Sequence, residues 1–430
     1  MLPRYNIHNS IPFSFKHSSS DSRVANLADE LFENLPIDKT KNVDLKRKCL
    51  KSILVNLYLG WLSMNYIRYS RKKDYYAKLP KRYKPEYFTW TNMSGIMSCL
   101  EDQGLIDSEL GFYNPLDEYG SLTKVKASDS FLSDLLSSTP IEIEDVSPLE
   151  LVVLKDRASK AKKDYNESKK TQNMRTDLLS YNTLRQRTRF TLEGVSKNLL
   201  TDKTLFLNLY AKGNTSGGVI TLRNPYIYRV FNDNFLHGGR YYSGIESNMP
   251  SELRKHLKIN SQDTTELDYS CLHIRMLYNQ EGLPLIENAY DQLAEDDLKL
   301  RALYKLIGLV SINAGTLKSA LNSIRNELRK SSGKYFRLED LSDKSIMKYY
   351  QKWTDHHAPI KKYLNADIGI KLQYYDSKIA SGVVKHFTAK DVPVLVVHDS
   401  FVIEKKHEAD LRAVMVKEYE KIFKFKPEIK

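Results

Sequence analysis

Two acids stand where a chain could present carboxylates to metal ions. Asp268 lies in "ELDYSCLHIR", Glu266 to Arg275, at the end of a short alternating apolar run that turns at once into a helical pattern. Asp399 lies in "VPVLVVHDSFVIEKK", where Val394–Val397 and Phe401–Glu404 read as strands and His398-Asp399-Ser400 as the tight turn between them. An acid at a hairpin tip is most often only a turn former. Two carboxylates presented from strand ends of one sheet can instead bridge two divalent cations about 3.5–4 Å apart, which activates a 3′-hydroxyl and stabilises a leaving pyrophosphate. Mg2+, or Mn2+ in its place, suits such a site, because a hard ion is held by few carboxylates together with substrate phosphates.

Between the acids, which are 131 residues apart, runs "DDLKLRALYKLIGLVSINAGTLKSALNSIRNELRK". Arg301 and Lys305 share a helix face, and Leu309 and Asn313 continue it at the same spacing. A cationic pair there could grip a triphosphate while the next turns meet base and sugar. The same pattern also describes the exposed face of an ordinary core helix.

The elements that must position these residues belong to a long, basic chain. Its 430 residues, 41% hydrophobic, can bury two or three cores. A formal charge of +13 favours an anionic partner, and a polyphosphate chain is the commonest one. The charge is concentrated, with eleven Lys/Arg against four Asp/Glu between Leu151 and Phe190. Three scattered cysteines fit neither a disulfide framework nor a zinc site. No apolar run approaches the roughly 18 residues of a membrane span, and "MLPRYNIHNSIPFSFKHSSS" lacks a signal-peptide core. A cytoplasmic protein without a membrane partner is expected.

Residues 1–40 read as a flexible arm. Leu45, Cys49, Ile53, Leu57 and Trp61 mark an amphipathic helix, and Met93, Ile96, Met97 and Leu100 a second one that Gly104 stops. With a hairpin after it, 41–127 has the element order of a winged helix, with a recognition helix over 91–103 and a wing near 111–126. A small helical subdomain with a hairpin has the same order. The basic, tyrosine-rich "RYSRKKDYYAKLPKRYKPEYF" beside it favours DNA binding. Residues 128–146 read as a linker. Ser147-Pro148-Leu149-Glu150 matches a capping box, and without Gly or Pro until Gly194 a long basic helical region over 147–200 is expected. "TLFLNLYAKGNTSGGVITLRN" reads as a hairpin.

In this order the motifs resemble a family. "DYSCLHIR" is similar to motif A of the A-family DNA polymerases, "RALYKLIGLVSINAG" to their fingers helix and "VHDSF" to motif C, while "GGRYYSG" resembles a segment that the related phage-type single-subunit RNA polymerases carry ahead of motif A. The resemblance covers about residues 224–404. It implies an α+β right-hand polymerase: a palm over 201–280 and 366–430 built on an antiparallel sheet, helical fingers over 281–365, and 147–200 as the thumb. It implies Asp268 and Asp399 as ligands of two Mg2+ ions and catalytic residues, with the Tyr269 carbonyl as a third oxygen. Arg301 and Lys305 would bind the triphosphate, with His273 and Asn313 near the nucleotide, and Arg240, Gln373 and His398 would contact primer or template. Asn313 and His273 depart from the family, which has a tyrosine and a glutamate there. The expected activity is nucleotidyl transfer from nucleoside triphosphates on primer-template DNA, in a compact, exonuclease-free enzyme of a mobile element or phage. An RNA polymerase or primase on the same palm, and a non-catalytic initiator, are the alternatives.

Overall fold

The computed structural model describes residues 10–63, 65–114, 119–128, 131, 141, 143–195, 211–212, 219–222, 226–247, 249–285, 288–331 and 333–430. It is a mixed structure of helices and strands that divides into two compact units, one of residues 1–228 and 242–263, the other of 229–241 and 264–430. No helix among the described residues is long and apolar enough to cross a membrane.

The first unit opens with strands β1 (Ser10–Pro12) and β2 (His17–Ser18) and helix α1 (Ser22–Asn34). The flexible arm expected over 1–40 is therefore corrected for residues 10–40. Val24, Ala28, Leu31 and Phe32 recur at helical spacing and bury one face of α1, and Asp21 caps it by accepting from the Arg23 N–H. Residues 1–9 lie outside the described residues.

Helix α2 (Val43–Leu62) is buried on every side from Ser52 to Gly60, so the four-residue stripe seen in the sequence understates it. Strand β3 (Tyr66–Tyr69), helix α3 (Lys73–Lys78) and helix α4 (Trp90–Asp102) follow. All four residues of the stripe on α4 are buried, and Thr89 caps it. Then come β4 (Ile106–Glu109), the small hairpin β5 (Phe112–Asn114) and β6 (Tyr119–Ser121), and β7 (Thr123–Ala127). The sheet order is β1-β3-β7-β4, with β7 antiparallel to both neighbours. Of the expected linker, Phe131, Ile141 and Ile143 are core residues, and β8 (Glu144–Asp145) pairs with β2.

The helical region expected from Ser147, as one helix or two, does not start there. Leu151-Val152-Val153-Leu154 is buried on both faces and makes β9 (Val152–Lys155), and Glu150 accepts from the Val152 N–H instead of closing a capping box. β-Branched residues buried on both sides favour extended chain over helix. The helix, α5, spans only Lys169–Gln186, and its capping box is Ser168 with Thr171. Strand β10 (Phe190–Glu193) ends that stretch. Beyond it β11 (Ala211–Lys212) pairs antiparallel with β12 (Val219–Leu222), as the predicted hairpin requires, while its tip at 213–218 and much of its first arm lie outside the described residues.

A hairpin of β13 (Ile227–Asn232) and β14 (Asn234–Ser243) supplies residues 229–241 to the second unit. Gly239, with φ +86°, leaves no room for a side chain, since a Cβ would stand 2.5 Å from the Phe231 ring and 2.8 Å from Ser377 Oγ. Strand β15 (Leu257–Ile259) pairs with the start of β16 (Gln262–Asp268). The second unit then holds α6 (Leu272–Gln280), α7 (Leu298–Asn313), α8 (Leu317–Lys330), α9 (Asp343–His356) and α10 (Gly369–Ala389), followed by β17 (Val394–Val397), β18 (Ser400–Glu404) and α11 (Glu408–Phe423). Gly308 lets α7 approach α9, since a Cβ there would meet the Trp353 ring at 2.8 Å.

Candidate active site

Strand β18 is the centre of the site. It pairs antiparallel with β17, through the two-residue turn His398-Asp399, and with β16, where Asp268 stands opposite Ser400. His398 has φ +58°, the positive value that a tight hairpin asks of its first turn residue. The ladder thus sets Asp268 beside the turn that bears Asp399. On the other edge of β16 the Asp268 N–H donates to the Lys430 carbonyl at 2.9 Å and the Ser270 N–H to that of Glu428 at 2.9 Å.

After Asp268 the chain turns sharply. Cys271 has φ +52° and α6 starts at Leu272, which puts His273 in its first turn. The Tyr269 side chain points into the core, where its hydroxyl donates to the Met415 carbonyl at 2.7 Å, so only its backbone faces the site. Arg275 is buried and structural, donating to the Leu285 carbonyl at 2.6 Å and paired with Glu428 at 2.8 Å.

Both acids line a cavity of about 310 Å³. Arg301, Lys305 and Leu309 form its wall from one face of α7. Arg301 is oriented by Asp291, to which its Nε donates at 2.6 Å, while Lys305 is exposed. Asn313 is not brought to this wall. It ends α7, donates back to the Leu309 carbonyl at 2.8 Å and packs where a Cβ on Gly369 would be 2.0 Å from its Oδ1. Its expected place at the nucleotide is not supported by that position.

Neither Asp268 nor Asp399 has a salt-bridge partner among the described residues. Burial raises the Asp268 pKa to about 6, with Asp399 and Glu266 adding to the rise and Lys305 opposing it. Asp268 is nonetheless exposed to solvent, and water tempers this rise. Burial also raises Asp399, with Asp376 adding to it and Arg240 and His273 opposing. Two carboxylates that ionise reluctantly and form no salt bridge among the described residues offer oxygen donors of the kind that hard divalent ions take.

Asp376 is the site residue that the sequence motifs do not reveal. It is 2% exposed on α10, accepts from Arg240 Nε at 2.7 Å and lies 3.8 Å from His273 Nε2. It thereby ties together Arg240 from β14 and His273 from α6. Gln373 lies one turn earlier on α10, half exposed. The signal for Asp376 in the sequence is only its three-residue spacing from Gln373.

A carboxyl whose pKa rises on folding holds a proton that the unfolded chain has already released, so stability falls as pH climbs through the window between the two values. For Asp268 that window runs from about 4, the ordinary aspartate value, to about 6. Asp268→Asn therefore raises Tm above pH 6 in metal-free buffer, and the gain vanishes below about pH 4. Thermal unfolding across pH 3.5–8, at roughly half-unit steps, checks this. A Tm difference that does not change with pH overturns it.

Comparison with known proteins found no family model that matches the chain and no curated protein that matches it.

Proposed function

We propose that the chain is a template-directed nucleotidyltransferase, most simply a compact DNA polymerase. The observation that carries the reading is the β16–β18 register, which sets Asp268 beside the Asp399 turn on a cavity that Arg301 and Lys305 also line. Two Mg2+ ions, when bound, would activate the primer 3′-hydroxyl and neutralise the departing pyrophosphate. The protein's own residues supply the rest. Asp268, Asp399 and the Tyr269 carbonyl offer oxygens, and Arg301 and Lys305 hold the triphosphate so that the 3′-oxygen can attack the α-phosphorus in line. Arg240, Gln373 and His398 serve primer or template.

The order α2, β3, α3, α4 and then the hairpin of β4 and β7 supports a winged-helix-like module for duplex DNA. His273, where the resembling DNA polymerases carry a glutamate, favours a second reading, an RNA polymerase or primase on the same palm. Primer extension with DNA and RNA templates, each with dNTPs and NTPs, tests both. Extension only with NTPs selects the second reading, and no extension under any combination rejects both in favour of a non-catalytic initiator.

Lys305→Ala raises the nucleotide KM and lowers kcat, because a cation on the triphosphate acts most strongly as charge builds on the leaving group. Steady-state kinetics that match the parent return α7 to an ordinary exposed face. His273→Ala increases ribonucleotide use. An imidazole crowds a 2′-hydroxyl but can also hydrogen-bond to it, so the parent discriminates by only about 1–3 kcal/mol. Single-turnover incorporation of a dNTP and its matching NTP measures the change, and an unaltered ratio removes His273 from sugar selection.

A further inference from the structure

Asp376 joins two residues of the candidate site that come from distant parts of the chain. Arg240 donates to its Oδ2 from Nε at 2.7 Å, and Nη2 stands 2.5 Å from the same oxygen. That oxygen also lies 3.8 Å from His273 Nε2. The distance is too long for a hydrogen bond, yet short enough for the charge of a carboxylate to act on the ring. All three residues belong to the second unit. Asp376 is buried and does not line the cavity, whereas His273 does, so any influence of Asp376 on a substrate there passes through another side chain.

The two nitrogens of His273 are placed differently. Nε2 is buried and has no hydrogen-bond partner among the described residues. Nδ1 is left to the cavity that the ring lines. In a neutral imidazole one nitrogen carries the proton and the other a lone pair, and the surroundings of one fix the role of the other. A carboxylate beside Nε2 favours the proton on that nitrogen, which leaves the lone pair on Nδ1. We propose that Asp376 is a positioning residue for sugar recognition: it keeps the His273 proton on Nε2, so that Nδ1 meets the nucleotide as an acceptor and takes a hydrogen bond from a ribose 2′-hydroxyl. The inference rests on the nucleotidyltransferase reading of the site.

The ring then acts on a ribonucleotide in two opposed ways. Its bulk crowds the 2′-hydroxyl, and its lone pair admits it. Removing the ring lifts the crowding. Removing the Asp376 charge leaves the crowding in place and weakens only the acceptor.

The test compares kcat/KM for an NTP and its matching dNTP on one primer-template, with the full-length protein in Mg2+. Asp376→Asn is expected to lower the NTP/dNTP ratio several-fold, the effect of about one hydrogen bond. His273→Ala moves the ratio the opposite way, and in the double variant Asp376→Asn adds nothing to it. A purely structural role for Asp376, through Arg240 and the primer, would change both nucleotides together and leave the ratio alone. A second arm uses the unaltered protein and so decides even where Asp376→Asn does not fold. A 2′-fluoro nucleotide, whose substituent cannot donate, is expected to be used several-fold less well than the NTP, and His273→Ala narrows that gap. An unmoved ratio in Asp376→Asn, a double variant that falls below His273→Ala, or equal or better use of the 2′-fluoro nucleotide overturns the proposal. No extension by the unaltered protein with any nucleotide rejects the nucleotidyltransferase reading and this proposal with it, whereas extension with an unmoved ratio rejects this proposal alone.

Discussion

Asp268→Asn and Asp399→Asn each lower nucleotide incorporation by about 10³-fold or more, with duplex affinity within about twofold of the parent. Each amide keeps the volume of the side chain it replaces and removes one of two charges on which a metal pair depends. Affinity for DNA comes from cations that meet phosphates, and the chain has 66 Lys and Arg against 53 Asp and Glu. Single-turnover extension in Mg2+, with DNA binding measured on the same preparations, separates the two effects. Near-parental extension by either variant would remove that acid from the site. Loss of extension together with loss of binding would indicate damage to the fold instead.

The second large effect concerns stability. Arg185 and Glu246 are both fully buried and joined by two parallel bonds, Nη1 to Oε1 at 2.9 Å and Nη2 to Oε2 at 2.8 Å. Arg185 also donates to the Tyr181 hydroxyl at 3.1 Å. Arg185→Met strands the Glu246 charge in the core and costs roughly 3–5 kcal/mol, while Arg185→Met combined with Glu246→Leu recovers most of the loss. Urea unfolding of the full chain, followed by circular dichroism, gives both numbers. A single variant as stable as the parent would mean that water reaches Glu246. A double variant no better than the single one would mean that the pair itself supplies the stabilisation.

Much of the candidate site could be read in the sequence where chemistry and local geometry coincide. The apolar runs on either side of His398-Asp399 leave little choice but a hairpin, and β17 and β18 form it. Arg301 and Lys305 lie on one face because helical spacing puts them there, and that face lines the cavity. Asp376 escapes such reading, since its partner Arg240 is 136 residues away and only tertiary packing brings the two together. The stretch after Ser147 misleads for another reason. It lacks Gly and Pro and starts with a plausible cap, yet burial of Val152 and Val153 on both faces outweighs those local signals. Asn313, the last residue of α7, bonds back to the Leu309 carbonyl and packs against Gly369 rather than lining the cavity, a placement that its spacing from Leu309 does not reveal.

The pairing of Asp268 with the segment Glu428–Lys430 sets a schedule for a ribosome making this chain. At about 5–20 residues per second, the strand that carries Asp268 leaves the tunnel well ahead of β18 and further still ahead of Lys430. Throughout that interval both edges of β16 lack these partners, and closing so long a loop is slow. Nascent chains halted between Asn313 and Asp399 would therefore hold the Arg301–Lys305 helix without the turn that bears Asp399, and the interval is the one in which chaperones have most to shield.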